Sequence, residues 1–305
     1  MTEEERKLQM IAEARDAKAD VSIDYSDDDI IMIDNVRLLN KPNSTRLQMN
    51  ALIFCQSGRM QMDLNGSPIT LGRNQLLVCP PNTSVSNLML SPDFDFYALF
   101  LTNRILLSFL REKYSVWTEG LYVHQMLVVS VSAEDMELLT LFYHQLDAVI
   151  KTHKDNPYRT EIIQSLLRAG ILELCGSMKQ TMSLMPTSDE GRDHPLSTTK
   201  NLFRKFLNML GSTQAKHKPV EYYSRELCVT AKYLSAVCKK CSGKTANEWI
   251  KEQVMEDIRY YLRSTDMSVK QISHLLGFPN TSFFGKYVKE HFGMPPVQFR
   301  REEQG

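Results

Sequence analysis

The hydrophobic pattern changes period once along the chain, and that change limits the fold more than any other feature. From Ile30 to about Thr102, apolar and polar residues alternate in short runs broken by turn residues, the signature of strands with one buried face. Met60, Met62 and Leu64 alternate with Arg59, Gln61 and Asp63, Asn65-Gly66 follows, and Ile69 and Leu71 resume the alternation. Arg59 to Leu71 is therefore expected to form a β-hairpin closed by a type I′ turn. Ala51 to Gln56, Gln75 to Cys79 before Pro80-Pro81, Ser84 to Leu90 and Phe94 to Leu101 add further strands at hairpin spacing, the expectation for a sandwich or small barrel.

Helical spacing then takes over. Met136, Leu139, Tyr143, Leu146 and Ile150 step by three and four behind Ser132, a cap with Asp135 three residues on. Ile163, Leu167, Ile171, Leu174 and Met178 form a second stripe between about 157 and 182, so residues 132–183 read as a helical hairpin. Such stripes either dock on the core of their own domain or pair two chains, and both readings stand at this point. Residues 1–20 read as a short charged helix with Leu8, Ile11 and Ala12 as its apolar positions, and Leu184 to Thr199, rich in Pro, Ser, Thr and charge, reads as a linker.

Beyond the linker every segment is helix or tight turn. Leu202, Phe206 and Leu210 mark one helix, Val220 to Leu227 a second and Ala231 to Cys241 a third. Thr245-Ala246-Asn247-Glu248 is a capping box opening a long helix that buries Trp249, Ile250, Val254, Ile258 and Leu262; Ser268-Val269-Lys270-Gln271 opens another, which ends at Gly277. A strand-rich half followed by a helical half is an α+β architecture of two domains, which suits a chain of 305 residues. The expected boundaries are a first domain at 1–185, a linker at 186–199 and an all-α domain at 200–305.

Charge divides along the same line. The whole chain balances 36 basic against 36 acidic side chains, but residues 198–305 hold 18 Lys+Arg against 10 Asp+Glu. A basic module attached to an acidic one fits a nucleic-acid-binding domain carried by something else. No apolar run nears the ~18 residues that cross a bilayer, and the acidic start Met1-Thr2-Glu3-Glu4-Glu5 is unlike a secretory leader. A cytoplasmic protein with no membrane partner is expected, its six cysteines held as reduced apolar fillers.

Within the basic half, Val220 to Cys241 and Val269 to Phe292 each read as a helix–turn–helix, in which the second helix enters the major groove. The first candidate recognition helix offers Thr230, Lys232, Tyr233, Ser235 and Lys239, and the second offers Asn280, Thr281, Ser282 and Lys286, while Lys240, Lys244 and Lys289 lie where phosphates would pass. The helix from Ala246 to Arg263 would be ~27 Å long, enough to hold the two recognition helices about one DNA turn (~34 Å) apart.

The string Gly277-Phe278-Pro279-Asn280-Thr281-Ser282-Phe283-Phe284-Gly285-Lys286, with Lys289, Phe292-Gly293, Pro296 and Phe299-Arg300, resembles the signature of the AraC/XylS family of bacterial transcription regulators, in its Bacteroidetes form. Leu227 to Gly243 and Glu248-Trp249-Ile250 are similar to the family's first unit, so the resemblance covers roughly 100 residues. Gly285, Val288, Val254 and Pro295 depart from the usual pattern, and no role is carried over at Val254. The resemblance implies a cupin-like amino-terminal domain that senses a small-molecule effector or forms a homodimer, with duplex DNA and RNA polymerase as partners, and with activation of transcription as an outcome.

Other chemistries find little support. Cys238-Lys239-Lys240-Cys241 has CxxC spacing, but a zinc site needs four ligands and no second pair accompanies it. Metal-dependent cupin enzymes converge several histidines on one ion, yet none lies between Ile30 and Leu101. No nucleophile elbow, phosphate loop or dinucleotide fingerprint is present. No cofactor or catalytic residue is assigned. Phe94, Phe96, Tyr97 and Phe100 read either as strand core or as the lining of an apolar pocket. The rival expectation is a cupin-type enzyme whose helical tail serves only assembly.

Overall fold

The computed structural model describes residues 20–26, 29–37, 45–110, 113–152, 155–184, 195–212 and 218–304. The expected helix at 1–20 and most of the expected linker lie outside these residues. The chain divides into two compact units: one combines the chain up to Leu110 with Met126–Leu184, the other combines Arg111–Gln125 with Met185–Gly305.

The first unit is built on strands β1 (Asp20–Ser26), β2 (Ile30–Arg37), β3 (Thr45–Arg46), β4 (Asn50–Ser57), β5 (Arg59–Leu64), β6 (Ser67–Gly72), β7 (Gln75–Cys79), β8 (Ser84–Leu90), β9 (Asp95–Leu101) and β10 (Val128–Ser130). They form two antiparallel sheets, ordered β1-β2-β9-β4-β7-β10 and β3-β8-β5-β6. Alternation decides which side chains meet. Met60, Met62 and Leu64 of β5 and Leu71 of β6 pack with Ala51 and Cys55 of β4 and Leu77 and Cys79 of β7 in one core. The hairpin closes as expected, with Leu64 paired to Ser67 and positive φ at Asn65 (51°) and Gly66 (81°).

The unbroken apolar run of β7 has a structural reason. Leu77 and Cys79 face the sheet-to-sheet core, while the intervening Leu76 and Val78 are fully buried too. Two helices, α3 (Ala133–Thr152) and α4 (Arg159–Leu184), lie against the six-stranded sheet; α1 (Asn103–Leu110) precedes them. Leu139, Tyr143 and Leu146 of α3 and Leu167, Ile171 and Leu174 of α4 meet Leu52, Phe54 and Leu99 around a cavity of about 30 Å³. The residual space is water-sized, so both stripes dock on their own unit. Gln56 Nε2 donates to Thr140 Oγ1 at 2.8 Å, and the rings of Tyr97 and Tyr143 meet at a tilt with centroids 4.7 Å apart. The Asp135 amide donates to the capping oxygen of Ser132 at 3.0 Å.

The second unit holds α2 (Tyr114–Thr118), which runs into a π-helical turn at Glu119–Val123, and then α5 (Pro195–Ser212), α6 (Val220–Glu226), α7 (Ala231–Ser242), α8 (Ala246–Ser264), α9 (Val269–Leu275), α10 (Thr281–Phe292) and α11 (Pro296–Gln304). Two observations differ from the sequence expectations. Helix α5 begins at Pro195, inside the stretch expected as linker, because proline fits the first turn of a helix, where no backbone donor is required. The segment Tyr114–Val123, interposed between β9 and β10 in sequence, folds with the helices rather than with the sheets. Its Tyr114, Trp117, Thr118, Leu121 and Val123 are all buried. No helix among the described residues is long and apolar enough to cross a membrane.

Candidate nucleic-acid interface

One short structure is built twice, 49 to 50 residues apart. In the first copy α6 ends with Cys228 N–H donating to Arg225 O and Val229 N–H to Ser224 O; in the second α9 ends with Gly277 N–H donating to His274 O and Phe278 N–H to Ser273 O. These paired bonds satisfy the last carbonyls of the helix and require a left-handed residue, supplied by Cys228 (φ 55°) and Gly277 (φ 78°). Thr230 and Asn280 then cap the following helices, accepting from the amides of Tyr233 (3.1 Å) and Phe283 (2.9 Å). Left-handed glycines, Gly243 and Gly293, end α7 and α10.

The buried side of each copy is likewise matched. Tyr223 of α6 and Leu234 and Cys238 of α7 correspond to Ile272 of α9 and to Phe284 and Val288 of α10, all buried, while the buried Val237 corresponds to the half-buried Tyr287. Burial pushes the Cys238 thiol up to about 12, so it is neutral at pH 7 and serves as an apolar filler. Helix α8 runs between the copies for 19 residues, ~28 Å at the usual rise. Its start carries the complete Thr245–Glu248 capping box, which holds the Glu248 carboxyl below the usual carboxylate range through its bond to the Thr245 amide. Its far end is fastened by Arg300 of α11, which donates to the carbonyls of Leu262 (3.0 Å) and Met267 (2.6 Å).

With the buried stripe fixed, the outward ridge of each second helix follows. Lys232, Ala236 and Lys239 step by four and three along α7 opposite Leu234 and Cys238, and Ser282, Lys286 and Lys289 do the same along α10. All six are exposed, as are Thr230, Tyr233, Lys240, Asn280 and Thr281, whereas Ser235 is half-buried. Thr230 and Asn280 spend an acceptor oxygen on their own helix, which leaves the Thr230 hydroxyl hydrogen and the Asn280 amide to donate outward. Lys244 is set apart from the other expected phosphate contacts: its ammonium lies 2.8 Å from both carboxylate oxygens of Glu252 and 5.1 Å from the centre of the Trp249 ring. A phosphate there would compete with an existing ion pair.

The sequence reading passed over Phe283 as a site residue. It is 61% exposed at the position equivalent to Tyr233, which is 48% exposed, and the repeat offset was the signal available for finding it. A lysine ridge runs along each second helix to its last turn, and each of these helices is joined by a fixed turn to a short preceding helix; cationic ridges of this kind suit phosphates and groove edges.

Residues 223–302 match the family described as a helix-turn-helix domain. The Msm operon regulatory protein of Streptococcus mutans is 27% identical over 108 residues, spanning 35% of this chain and 39% of the relative. The transcriptional activator NphR of a Rhodococcus species is 35% identical over 60 residues, 20% of this chain and 18% of the relative, and the regulatory protein PocR of Salmonella typhimurium is 33% identical over 70 residues, 23% of each. The match thus spans well under two thirds of the length of each relative. Turn chemistry, duplicated core and matched residues converge on one conclusion: residues 223–302 form a helix-turn-helix domain, and over this region the chain is similar to bacterial regulatory proteins.

Proposed function

We propose that the chain is a sequence-specific DNA-binding regulator of transcription that sets α7 and α10 into two successive major grooves of one duplex. The observation that carries this reading is the lysine ridge repeated on both second helices, with α8 as the spacer. In this reading Lys232, Lys239, Lys240, Lys286 and Lys289 neutralise phosphates, and Tyr233, Ser235, Thr281 and Ser282 face the base edges together with the outward donors of Thr230 and Asn280. The two-sheet unit acts as a cupin-like sensing or pairing module, taking a small molecule or a second copy of the chain, and RNA polymerase is the partner at the promoter. The protein works by binding, in the cytoplasm, without catalysis.

The test is binding of the full chain to promoter DNA from its own locus as salt is raised. Affinity should fall steeply between about 50 and 200 mM salt, as expected for several phosphate contacts. Lys232→Ala and Lys286→Ala should each flatten the logarithmic salt slope by about one. Binding that ignored both salt and these substitutions would sink the reading.

A further inference from the structure

The segment Tyr114–Val123 does more than fill space in the helical unit. Trp249 sits at the joint where α7 passes into α8, and its indole Nε1 donates to Ser242 Oγ, the last residue of α7, at 2.8 Å. Three rings surround the indole edge-on: Tyr122 at 5.3 Å, Phe203 at 6.0 Å and Tyr114 at 6.1 Å between centroids. Two of the three come from the segment. Burial beside Glu252 drives both of those phenols above their ordinary range, so they stay neutral and serve as apolar cover.

The second copy of the repeat shows why cover is needed. At the position equivalent to Trp249 stands Phe299, and it is met by Phe292, whose ring lies 4.8 Å away. The residue equivalent to Phe292 in the first copy is Ser242, which carries no ring. Where the second joint is closed by its own helix, the first is closed by a segment that leaves the two-sheet unit after Leu110 and returns to it at Met126. Glu119 of the same segment pairs with Arg204 of α5 at 3.9 Å.

We propose that Tyr114–Val123 is a regulatory strap: seated on Trp249, it holds the α7–α8 joint in the geometry that lets both recognition helices engage one duplex. A rearrangement of the two-sheet unit, to which both ends of the strap are tied, lifts it and weakens two-groove binding. The proposal rests on the DNA-binding reading above and deepens it by naming how the same surface is controlled. A strap with no control function would instead leave DNA affinity indifferent to its seating.

Only two tryptophans occur in the chain, Trp117 and Trp249, so Trp117→Phe leaves Trp249 as the sole tryptophan reporter, read with excitation that tyrosine does not absorb. In the full-length Trp117→Phe protein, Tyr122→Ser should red-shift the emission and open it to acrylamide quenching, with far-ultraviolet circular dichroism unchanged. The same variant should lose about tenfold in affinity for a two-groove promoter site, the scale of a typical coupling between sites, while non-specific duplex affinity holds within about twofold. Tyr122→Phe should restore both readings. Because Tyr122→Ser risks loosening the fold, a surface variant runs beside it. Glu119→Arg should lower two-groove affinity by about two- to fivefold, the range of an exposed ion pair, and adding Arg204→Glu should recover it. An exposed Trp249 with unchanged two-groove affinity overturns the strap, as does a Trp249 that stays shielded in Tyr122→Ser. A parent protein that binds no duplex in a salt-dependent way overturns the DNA-binding reading instead, a result separate from either of these.

Discussion

Cys228 carries a backbone conformation that an L side chain resists, φ 55°, where the second copy of the repeat has Gly277. A left-handed residue with a side chain costs about 1–2 kcal/mol relative to glycine. Cys228→Gly should therefore raise the denaturation free energy by about 1 kcal/mol, and Gly277→Ala should lower it by a similar amount; urea titration of the two variants decides between this account and a neutral turn. Glu256 offers a second residue-level test. Burial lifts its carboxyl from 4.5 to about 6, outweighing the opposing pull of the Arg259 guanidinium with which it pairs. The folded state then holds a proton between these values that the unfolded chain releases. Stability from this group is present below pH 4.5 and is lost as pH rises through 6, a change of up to about 2 kcal/mol. Glu256→Gln should remove that slope from a pH series of unfolding midpoints.

At the scale of elements, what the sequence disclosed was whatever is decided locally. The Asn65-Gly66 turn, the boxes at Thr245 and Ser268 and the end of α9 at Gly277 each rest on residues within five positions of one another, and each stands where expected. What it hid was decided at a distance. Strand β10 is three residues long and exists because Val128, Val129 and Ser130 pair with Leu77, Leu76 and Gln75 of β7. The short helix at Tyr114–Thr118 did leave a trace, since Tyr114, Trp117 and Leu121 step by three and four, but nothing local says that Tyr114 meets Trp249, far along the chain. The lysines of the candidate surface were legible from periodicity, whereas the inward turn of Lys244 depends on Glu252, eight residues on. Core substitutions test the duplicated design directly. Leu234 and Phe284 are fully buried at equivalent positions, so Leu234→Ala and Phe284→Ala should each cost about 3–5 kcal/mol, read by chemical denaturation.

For the whole molecule, a net charge of zero conceals a charge split. The excess of cations lies in the part of the chain that bears the two lysine ridges, and the acidic surplus resides in the remainder. If the two ridges act together on one duplex, spacing matters as much as charge. Inserting half a helical turn of DNA, about 5 base pairs, between the two contacted grooves should reduce affinity to that of a single-groove contact, a loss far larger than any single lysine substitution produces. A protein that read only one groove would tolerate the insertion, and gel-shift titration on the two duplexes separates the outcomes.

Because a stretch from the middle of the strand-rich half completes the helical half, no uninterrupted piece of the coding sequence specifies the latter in full. A truncation beginning after residue 184 would present the indole of Trp249 to water, and ribosomes finish residues 113–123 well before the helices that receive them. Excision of the carboxy-terminal part would thus remove two of the three rings around Trp249 for good, and measurements made on it would describe a joint that can no longer be closed.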